Sequence, residues 1–168
     1  MSSTTNTKLN KVYLGLGSNL CDPAKQIYAA YDLISQVVDT CIIAKSGLYT
    51  SPPMGPPDQP DYVNAVVAIT TNLSPHRLMK KLQAIEDQQG RTRDGIRWGS
   101  RIVDLDILLY GEQEIATADL TIPHAGLSER AFVLYPLQEI APELNIPGKG
   151  KLSALVKQCP RENLKLIV

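Results

Sequence analysis

The hydrophobic positions of this chain follow the two-residue period of β-strands in some segments and the spacing of amphipathic helices in others. Strands are predicted at residues 11–17, 41–50, 62–71 and 102–110. Helices are predicted at residues 23–38, 75–89, 128–140 and 152–158, with an extended segment that ends at Pro123 and His124.

Turn and capping signals set the ends of these elements. Asp22 is the predicted N-cap before Pro23, and residues 51–60 contain five prolines, which excludes a helix or a central strand. The resulting order β-α-β-β-α-β predicts an α+β fold with a ferredoxin-like βαββαβ core, an antiparallel sheet with helices packed on one face. We expect residues 1–10 to be a disordered extension and residues 11–168 to form a single domain.

The charge of the chain is balanced, because 17 basic residues match 17 acidic ones in a total of 168. No overall field would then draw it to nucleic acid or to an anionic membrane. The polar first ten residues lack the apolar run of a signal peptide, and no segment approaches the ~20 apolar residues of a membrane span, so we expect a cytoplasmic protein. The three cysteines are far apart, which suits neither a disulfide framework nor a zinc site.

Asp104 and Asp106 are candidate metal ligands. Alternate side chains of a strand share a face, so both carboxylates point one way while Leu105 and Leu109 point the other. Their Cα atoms would lie roughly 6.6 Å apart, close enough for the carboxylates to share one or two Mg²⁺ ions. The alternative is a solvated strand face, although neighbouring aspartates without a cation are unfavourable in a strand.

A basic segment precedes this strand. It contains Arg91, Arg93, Arg97 and Arg101 together with Trp98, the single tryptophan of the chain. The planar guanidinium group suits phosphate oxygens, so arginines beside a metal site predict a polyphosphate clamp. The alternative is a basic loop that offsets nearby acidic residues.

Several other residues allow both a ligand role and a structural one. Glu86 lies late in the second predicted helix, where surface glutamates are common. His124 follows a rigid proline segment and could hold a phosphate or cap a turn. Gly15 and Gly17 are interpreted as turn and close-packing residues, because the chain lacks the third glycine of a dinucleotide fingerprint and has no Walker A pattern.

Seven segments, taken together, resemble one enzyme family: GLGSNL from Gly15, PPMGP from Pro52, DQPDYVN from Asp58, GRTR from Gly90, RWGSR from Arg97, DLD from Asp104 and IPH from Ile122. The family is 6-hydroxymethyl-7,8-dihydropterin pyrophosphokinase. The resemblance implies a ferredoxin-like core and transfer of a pyrophosphoryl group from MgATP to the hydroxymethyl oxygen of the pterin, with release of AMP, on the route to folate. It implies ATP, the pterin and two Mg²⁺ ions as partners; we expect a monomer that binds neither nucleic acid nor membrane.

The resemblance also implies a role for each matching residue. The implied ligands of two Mg²⁺ ions are Asp104 and Asp106, which act in catalysis with the arginines Arg91, Arg93 and Arg101. The implied pterin-binding residues are Ser51, Pro52, Met54, Tyr62, Asn64, Trp98 and Phe132. The implied ATP-binding residues, besides the three arginines, are Gln83, Glu86, Ile107, Thr121, His124 and Arg130.

Four positions depart from the family pattern, of which Ser51, where threonine is frequent, is a modest change. Ala125 stands where tyrosine is frequent, and Asp94 and Asp119 stand where a basic residue is common, so the resemblance assigns no ATP contact to these three residues. The residues alone leave two other functions open. One is a different two-metal enzyme, such as a nucleotide hydrolase, and the other is a ligand-binding module without catalysis.

Overall fold

An antiparallel sheet forms the centre of the computed structural model, which describes residues 9–90, 102–161 and 163–167. The first elements are β1 (Asn10–Ser18), α1 (Pro23–Ser35), β2 (Thr40–Lys45), β3 (Tyr49–Ser51), β4 (Tyr62–Thr71), α2 (Pro75–Gln88) and β5 (Asp104–Tyr110). The later elements are β6 (Ile115–Ala116), β7 (Thr121–Ile122), a 3-10 helix (Leu127–Glu129), α3 (Ala131–Ile140), β8 (Asn145–Ile146), β9 (Gly150–Lys151), α4 (Leu152–Gln158) and β10 (Lys165–Leu166). In the described ranges the main sheet has the order β10-β3-β4-β1-β5, and β2 also pairs with β4. With β2 and β3 together as the second strand, this is the ferredoxin-like order, so the predicted fold class is confirmed.

Each face of the sheet carries its own hydrophobic core. Val12, Leu14 and Leu16 of β1 are buried with residues of α1 and α2, whereas Tyr13 is buried with residues of α3 and α4. Neighbouring residues of a strand point to opposite faces, so the two helix pairs cover opposite faces. The predicted packing on one face is therefore confirmed for α1 and α2, the helices of the βαββαβ core, whereas α3 and α4 lie on the opposite face.

The second predicted strand is interrupted. Residues 41–50 form β2 and β3 rather than one strand, and both pair with β4. Between them, Gly47 donates its N–H to Glu139 Oε2 of α3 at 2.9 Å, and the Tyr49 hydroxyl donates to the other oxygen of the same carboxylate. Glu139 thus holds the start of β3 against α3. Where the chain makes these contacts, between β2 and β3, its regular pairing with β4 is interrupted.

Tyr49 should contribute to the alkaline unfolding of the protein. Burial and, after it, the hydrogen bond to Glu139 raise the pKa of Tyr49 from 10.0 to about 12. The folded state keeps the neutral phenol to higher pH than the unfolded chain, so this stabilisation is present below pH 10 and is lost as the pH rises toward 12. Urea denaturation across this window should show a smaller loss of unfolding free energy for Tyr49→Phe than for the wild type. Tyr28→Phe, at an exposed tyrosine, should differ from the wild type less than Tyr49→Phe does. An equal dependence of the unfolding free energy on pH in Tyr49→Phe and the wild type would contradict the prediction.

Several element ends differ from the predicted ones. α1 ends at Ser35 instead of residue 38, and α3 begins at Ala131 instead of residue 128, because Arg130 is extended with φ −111° and ψ 105°. Asp22 occupies the predicted N-cap position, but it has a φ of 62° and its side chain makes no capping hydrogen bond. Asn10, predicted as the end of a disordered extension, is the first residue of β1, while residues 1–8 lie outside the described ranges. None of the described helices has the length and apolar character needed to cross a bilayer.

A β-bulge changes the face that the end of β5 presents. β5 pairs with β1 in register up to Ile107, and the shift that follows leaves Leu108 as an extra residue. Leu109, predicted to share the face of Leu105, is therefore buried in the core under α3 and α4. The carboxylates at positions 104 and 106 precede the shift and keep their shared face.

Candidate active site

Two cavities meet at the start of β5. Asp104 and Asp106 line both of them; the first cavity also contacts α3, and the second contacts α2. In the sheet these residues lie opposite Gly17 and Gly15 of β1, respectively. The pair is therefore the boundary between two binding spaces, an arrangement that can bring two ligands to the same carboxylates.

Glycines form the floor of the first cavity, which encloses about 690 Å³ including its open mouth. A Cβ at Gly15 would lie 3.3 Å from Leu108 Cδ2, and a Cβ at Gly17 would lie 3.4 Å from Asn64 Oδ1. Larger side chains at these positions would occupy the cavity. The other lining residues, besides the two aspartates, are Leu16, Ser51, Pro52, Met54, Tyr62, Asn64, Ala65, Leu108, Arg130, Phe132 and Val133.

Asn64 supplies a polar edge to this cavity and is only 4% exposed. Its Nδ2 donates to Ser51 Oγ at 2.7 Å, which holds the plane of the amide. A carboxamide has two N–H donors and an acceptor oxygen, so Asn64 keeps hydrogen-bonding capacity for a ligand after this contact. Such a group suits a planar heterocycle whose edge carries both donors and acceptors.

The proline-rich segment forms one side of the first cavity through Pro52 and Met54. Its far end is fixed by Asn19, which is 2% exposed and donates through Nδ2 to Gln59 Oε1 and to Pro60 O, both at 3.1 Å. Asn19 follows β1 directly, so the strand that carries the glycine floor also holds the cavity's side wall.

Asn19→Ala should lower the free energy of unfolding by about 1–3 kcal/mol, because it removes the donor from partly buried acceptors. It should also weaken binding in the first cavity, since the segment that contains Pro52 and Met54 loses its anchor. Urea denaturation measures the first effect. Asn145→Ala, at an exposed asparagine, is the matched control, and equal losses in the two variants would contradict the anchoring role.

The second cavity lies between α2 and the segment that contains β7, and it encloses about 980 Å³ including its open mouth. Besides the two aspartates, its lining residues are Met79, Leu82, Gln83, Glu86, Leu105, Ile107, Asp119, Leu120, Thr121, His124 and Ala125. The residues from α2 recur at helical spacing, so one face of that helix forms a wall of the cavity.

Two side chains of this cavity lie beside the carboxylate pair. Glu86 is 3% exposed, and its Oε2 accepts the N–H of Leu105 at 2.9 Å, which fixes the strand segment between the two aspartates. His124 Nε2 lies 3.8 Å from Asp106 Oδ2. Burial is the largest cause that lowers the pKa of His124, so the neutral imidazole is favoured at this position.

The carboxylate pair fits a divalent cation that binds together with a ligand. In the part of the chain that the structure describes, no three or more His, Cys, Asp or Glu side chains gather around one point. Mg²⁺ is usually held by one or two carboxylates, and substrate phosphates and water complete its octahedral shell. Asp104 and Asp106 supply that number of protein ligands, so they fit Mg²⁺ bound with a polyphosphate.

Comparison with known proteins identifies the family. The profile of the 7,8-dihydro-6-hydroxymethylpterin-pyrophosphokinase (HPPK) family matches residues 13–142. The chain belongs to this family. The 2-amino-4-hydroxy-6-hydroxymethyldihydropteridine pyrophosphokinase of Pseudomonas aeruginosa is 49% identical over 157 residues, which are 94% of this chain and 96% of the relative. The protein of the same name from Haemophilus influenzae is 51% identical over 146 residues, which are 87% of this chain and 91% of the relative.

Solved HPPK structures share the fold. The chain of Plasmodium falciparum HPPK-DHPS crystallised with pteroate has a TM-score of 0.72 and 16% identity, over 90% of this chain and 42% of that chain. This chain thus spans less than half of the solved chain, and at this identity the likeness concerns the fold alone. Together with the family match, the predictions of an HPPK-family member, an α+β fold and a pyrophosphokinase of folate biosynthesis are confirmed.

The structure places most of the HPPK residues implied by the resemblance around the two cavities. The implied pterin-binding residues in the first cavity are Ser51, Pro52, Met54, Tyr62, Asn64 and Phe132. The implied ATP-binding residues in the second cavity are Gln83, Glu86, Ile107, Thr121 and His124. Arg130 instead lines the first cavity, with its guanidinium carbon 5.8 Å from the centre of the Phe132 ring. The remaining predicted residues lie outside the described ranges: Arg91, Arg93, Arg97, Trp98 and Arg101.

Sequence reasoning missed the floor of the first cavity. Gly15 and Gly17 lie inside β1, so their interpretation as turn residues is wrong, whereas the close approach of Leu108 and Asn64 agrees with close packing. The available signal was two glycines at alternate positions of a predicted strand. Such a pair leaves one face of the strand without side chains.

Proposed function

We propose that this chain transfers the pyrophosphoryl group of ATP to the hydroxymethyl oxygen of 6-hydroxymethyl-7,8-dihydropterin, which gives the pterin diphosphate and AMP. The observation that carries this proposal is the position of Asp104 and Asp106 at the boundary of two cavities. A ligand in each cavity would meet the other at these carboxylates, as a transfer between two substrates requires. The names of the relatives from Pseudomonas aeruginosa and Haemophilus influenzae support the choice of pterin.

We assign the pterin to the first cavity. Gly15 and Gly17 leave room for a flat ring against the sheet, and Phe132 offers an aromatic surface to one side of that ring. Asn64 offers a donor and an acceptor to the ring edge. Trp98 is assigned to the other side of the ring on the resemblance alone.

We assign ATP to the second cavity. Met79 and Leu82 offer apolar surface to the base, and Gln83 and Thr121 offer hydrogen-bonding groups to the nucleoside. His124 lies near Asp106 and therefore at the phosphate end. The arginines of the basic segment, Arg91, Arg93 and Arg101, are assigned to the phosphates, because a guanidinium fork matches phosphate oxygens.

Two Mg²⁺ ions are assigned to Asp104 and Asp106 together with the ATP phosphates. When bound, the ions offset phosphate charge and make the β-phosphorus more open to attack. The chain's own contribution is to hold the two carboxylates in place, and the contact between Glu86 and the Leu105 N–H does this from α2.

The proposed transfer forms one bond and breaks another. The hydroxymethyl oxygen of the pterin bonds to the β-phosphorus as the bond from that phosphorus to the oxygen bridging to the α-phosphate breaks. AMP leaves with the bridging oxygen, and the hydroxyl proton passes to solvent. The two cavities align the reacting atoms, and the arginines stabilise the charge that develops on the transferred group.

We also propose that the enzyme works as a monomer in the cytoplasm. One chain supplies residues to both cavities, and the cytoplasm provides ATP. Light scattering during size-exclusion chromatography tests the first point: a mass of 18.4 kDa supports it, and twice that mass contradicts it.

Mass spectrometry of the reaction products tests the proposed function. Incubation of the protein with ATP, Mg²⁺ and 6-hydroxymethyl-7,8-dihydropterin should give AMP and the pterin diphosphate in equal amounts. Formation of ADP would contradict pyrophosphoryl transfer, and hydrolysis of ATP without the pterin would favour a nucleotide hydrolase. Binding of the pterin without any product, and without a need for Mg²⁺, would favour a binding module.

A further inference from the structure

Hydrogen bonds near both ends of α2 link this helix to residues that line the second cavity. At one end, Glu86 accepts the N–H of Leu105, beside the carboxylate pair. At the other end, His76 Nε2 lies 3.1 Å from Asp119 Oδ1. The two residues of α2 are ten positions apart, which is about 15 Å along a helix, so the cavity extends between these contacts.

Asp119 belongs to a small hydrogen-bonded turn at the tip of the β6–β7 hairpin. Thr117 Oγ1 donates to Asp119 Oδ1 at 2.8 Å, and Thr117 N donates to Leu120 O at 2.9 Å. The carboxylate can only accept hydrogen bonds, so His76 donates to it through Nε2. Asp119 and Leu120 line the second cavity, whereas His76 does not. His76 can therefore affect this cavity only indirectly, through its contact with the hairpin.

Met79 and Leu82 line the wall opposite this hairpin, and His76 lies one helical turn before Met79. The bridge from His76 to Asp119 therefore joins the two walls of the cavity at the end away from the carboxylate pair. In the proposed function, that end receives the nucleoside of ATP.

We propose that the His76–Asp119 bridge positions the β6–β7 hairpin against α2 and thereby sets the affinity of the second cavity for ATP. This inference rests on the proposed function. His76 is a positioning residue, because it acts through Asp119 and the hairpin. The effect concerns binding rather than the chemical step, since the bridge lies away from Asp104 and Asp106.

Steady-state kinetics with varied ATP tests this inference. The bridge is exposed, with 43% and 61% of the two side chains accessible, so its coupling is modest. His76→Ala should raise the KM for ATP roughly two- to fivefold, with kcat, the KM for the pterin and Tm unchanged. Asp119→Ala should raise the KM for ATP at least as much as His76→Ala does. The double variant should have the same KM for ATP as Asp119→Ala alone. His76→Gln, which keeps an N–H donor near the same position, should restore part of the affinity.

Glu112→Gln is the matched control, because it removes an acidic charge from an exposed residue just before the hairpin. It should leave the KM for ATP unchanged. An unchanged KM for ATP in His76→Ala, or additive effects in the double variant, would overturn the inference. If the KM nevertheless rose in Asp119→Ala, Asp119 would be assigned a direct contact with ATP. If the wild type made no AMP, the proposed function would fail; calorimetric titration with ATP and Mg²⁺ would then test the bridge separately.

Discussion

Asp104→Ala is expected to slow pyrophosphoryl transfer by about a thousandfold or more, because it removes one of the two carboxylates that line both cavities. In the proposed function, the charge of the Mg²⁺ ions and phosphates would then no longer be held at the junction of the two substrates. The same loss is expected for Asp106→Ala. The measurement is the rate of AMP release with saturating ATP, Mg²⁺ and pterin.

The variant should remain folded, because Asp104 is the partly exposed first residue of β5 and belongs to neither hydrophobic core. Asp32→Ala, at an exposed carboxylate of α1, is the control and should keep full activity. If both Asp104→Ala and Asp106→Ala retained activity within tenfold of the wild type, the assignment of the metal site would be wrong.

Gly17→Val is expected to weaken pterin binding roughly ten- to a hundredfold, because its side chain would fill part of the floor of the first cavity. A Cβ at this position already lies 3.4 Å from Asn64 Oδ1 and 3.6 Å from Tyr62 Cδ1, so the additional methyl groups must enter the ligand space or displace these residues. Binding is measured by titration with the pterin in the presence of a non-hydrolysable ATP analogue.

Gly17→Ala gives a graded comparison, because its single methyl group meets both neighbours at ordinary contact distances. Its pterin affinity should fall less than that of Gly17→Val. Affinity for ATP should stay unchanged in both variants, since Gly17 does not line the second cavity. Equal losses of pterin and ATP affinity would indicate general disruption of the fold and would contradict the specific effect.

The carboxylate pair was predictable because it depends only on the two-residue period of one strand. The face on which Leu109 lies was not predictable, because the bulge at Leu108 shifts the pairing with β1. The alternation of apolar and polar residues in 102–110 gives no sign of this bulge. The glycine floor was also missed, because a glycine adds no side chain to a hydrophobic pattern. Its effect is visible only once Leu108 and Asn64 are placed around it.

The placement of the helices on the sheet is a second feature that the sequence pattern does not predict. The apolar stripe of α3 indicates that one side of this helix is buried, but it does not say which face of the sheet receives it. That choice depends on the path of residues 111–130, which contains short strands and a 3-10 helix. The break in residues 41–50 likewise depends on Glu139, a partner 92 positions from Gly47.

Three of the four departures from the family pattern lie in the described cavities, and one of them, Ser51, lines the first cavity. Asp119 and Ala125 both line the second cavity, so they alter the lining of the proposed ATP site itself. Asp94 lies outside the described residues. The absence of a tyrosine ring at position 125 leaves Leu120, Met79 and Leu82 as apolar surface for the base on these walls.

The register of β1 against β5 restricts the changes in length that this enzyme tolerates. Gly17 and Gly15 pair with Asp104 and Asp106, while Leu16 pairs with Leu105 on the buried face. Insertion of one residue upstream within β1 would exchange the two faces, so that leucines would face the carboxylates and glycines would replace core side chains. Insertions or deletions within this strand should therefore be far more damaging than substitutions at its exposed start. The short β8–β9 hairpin, whose residues line neither cavity, offers a site for inserting tags.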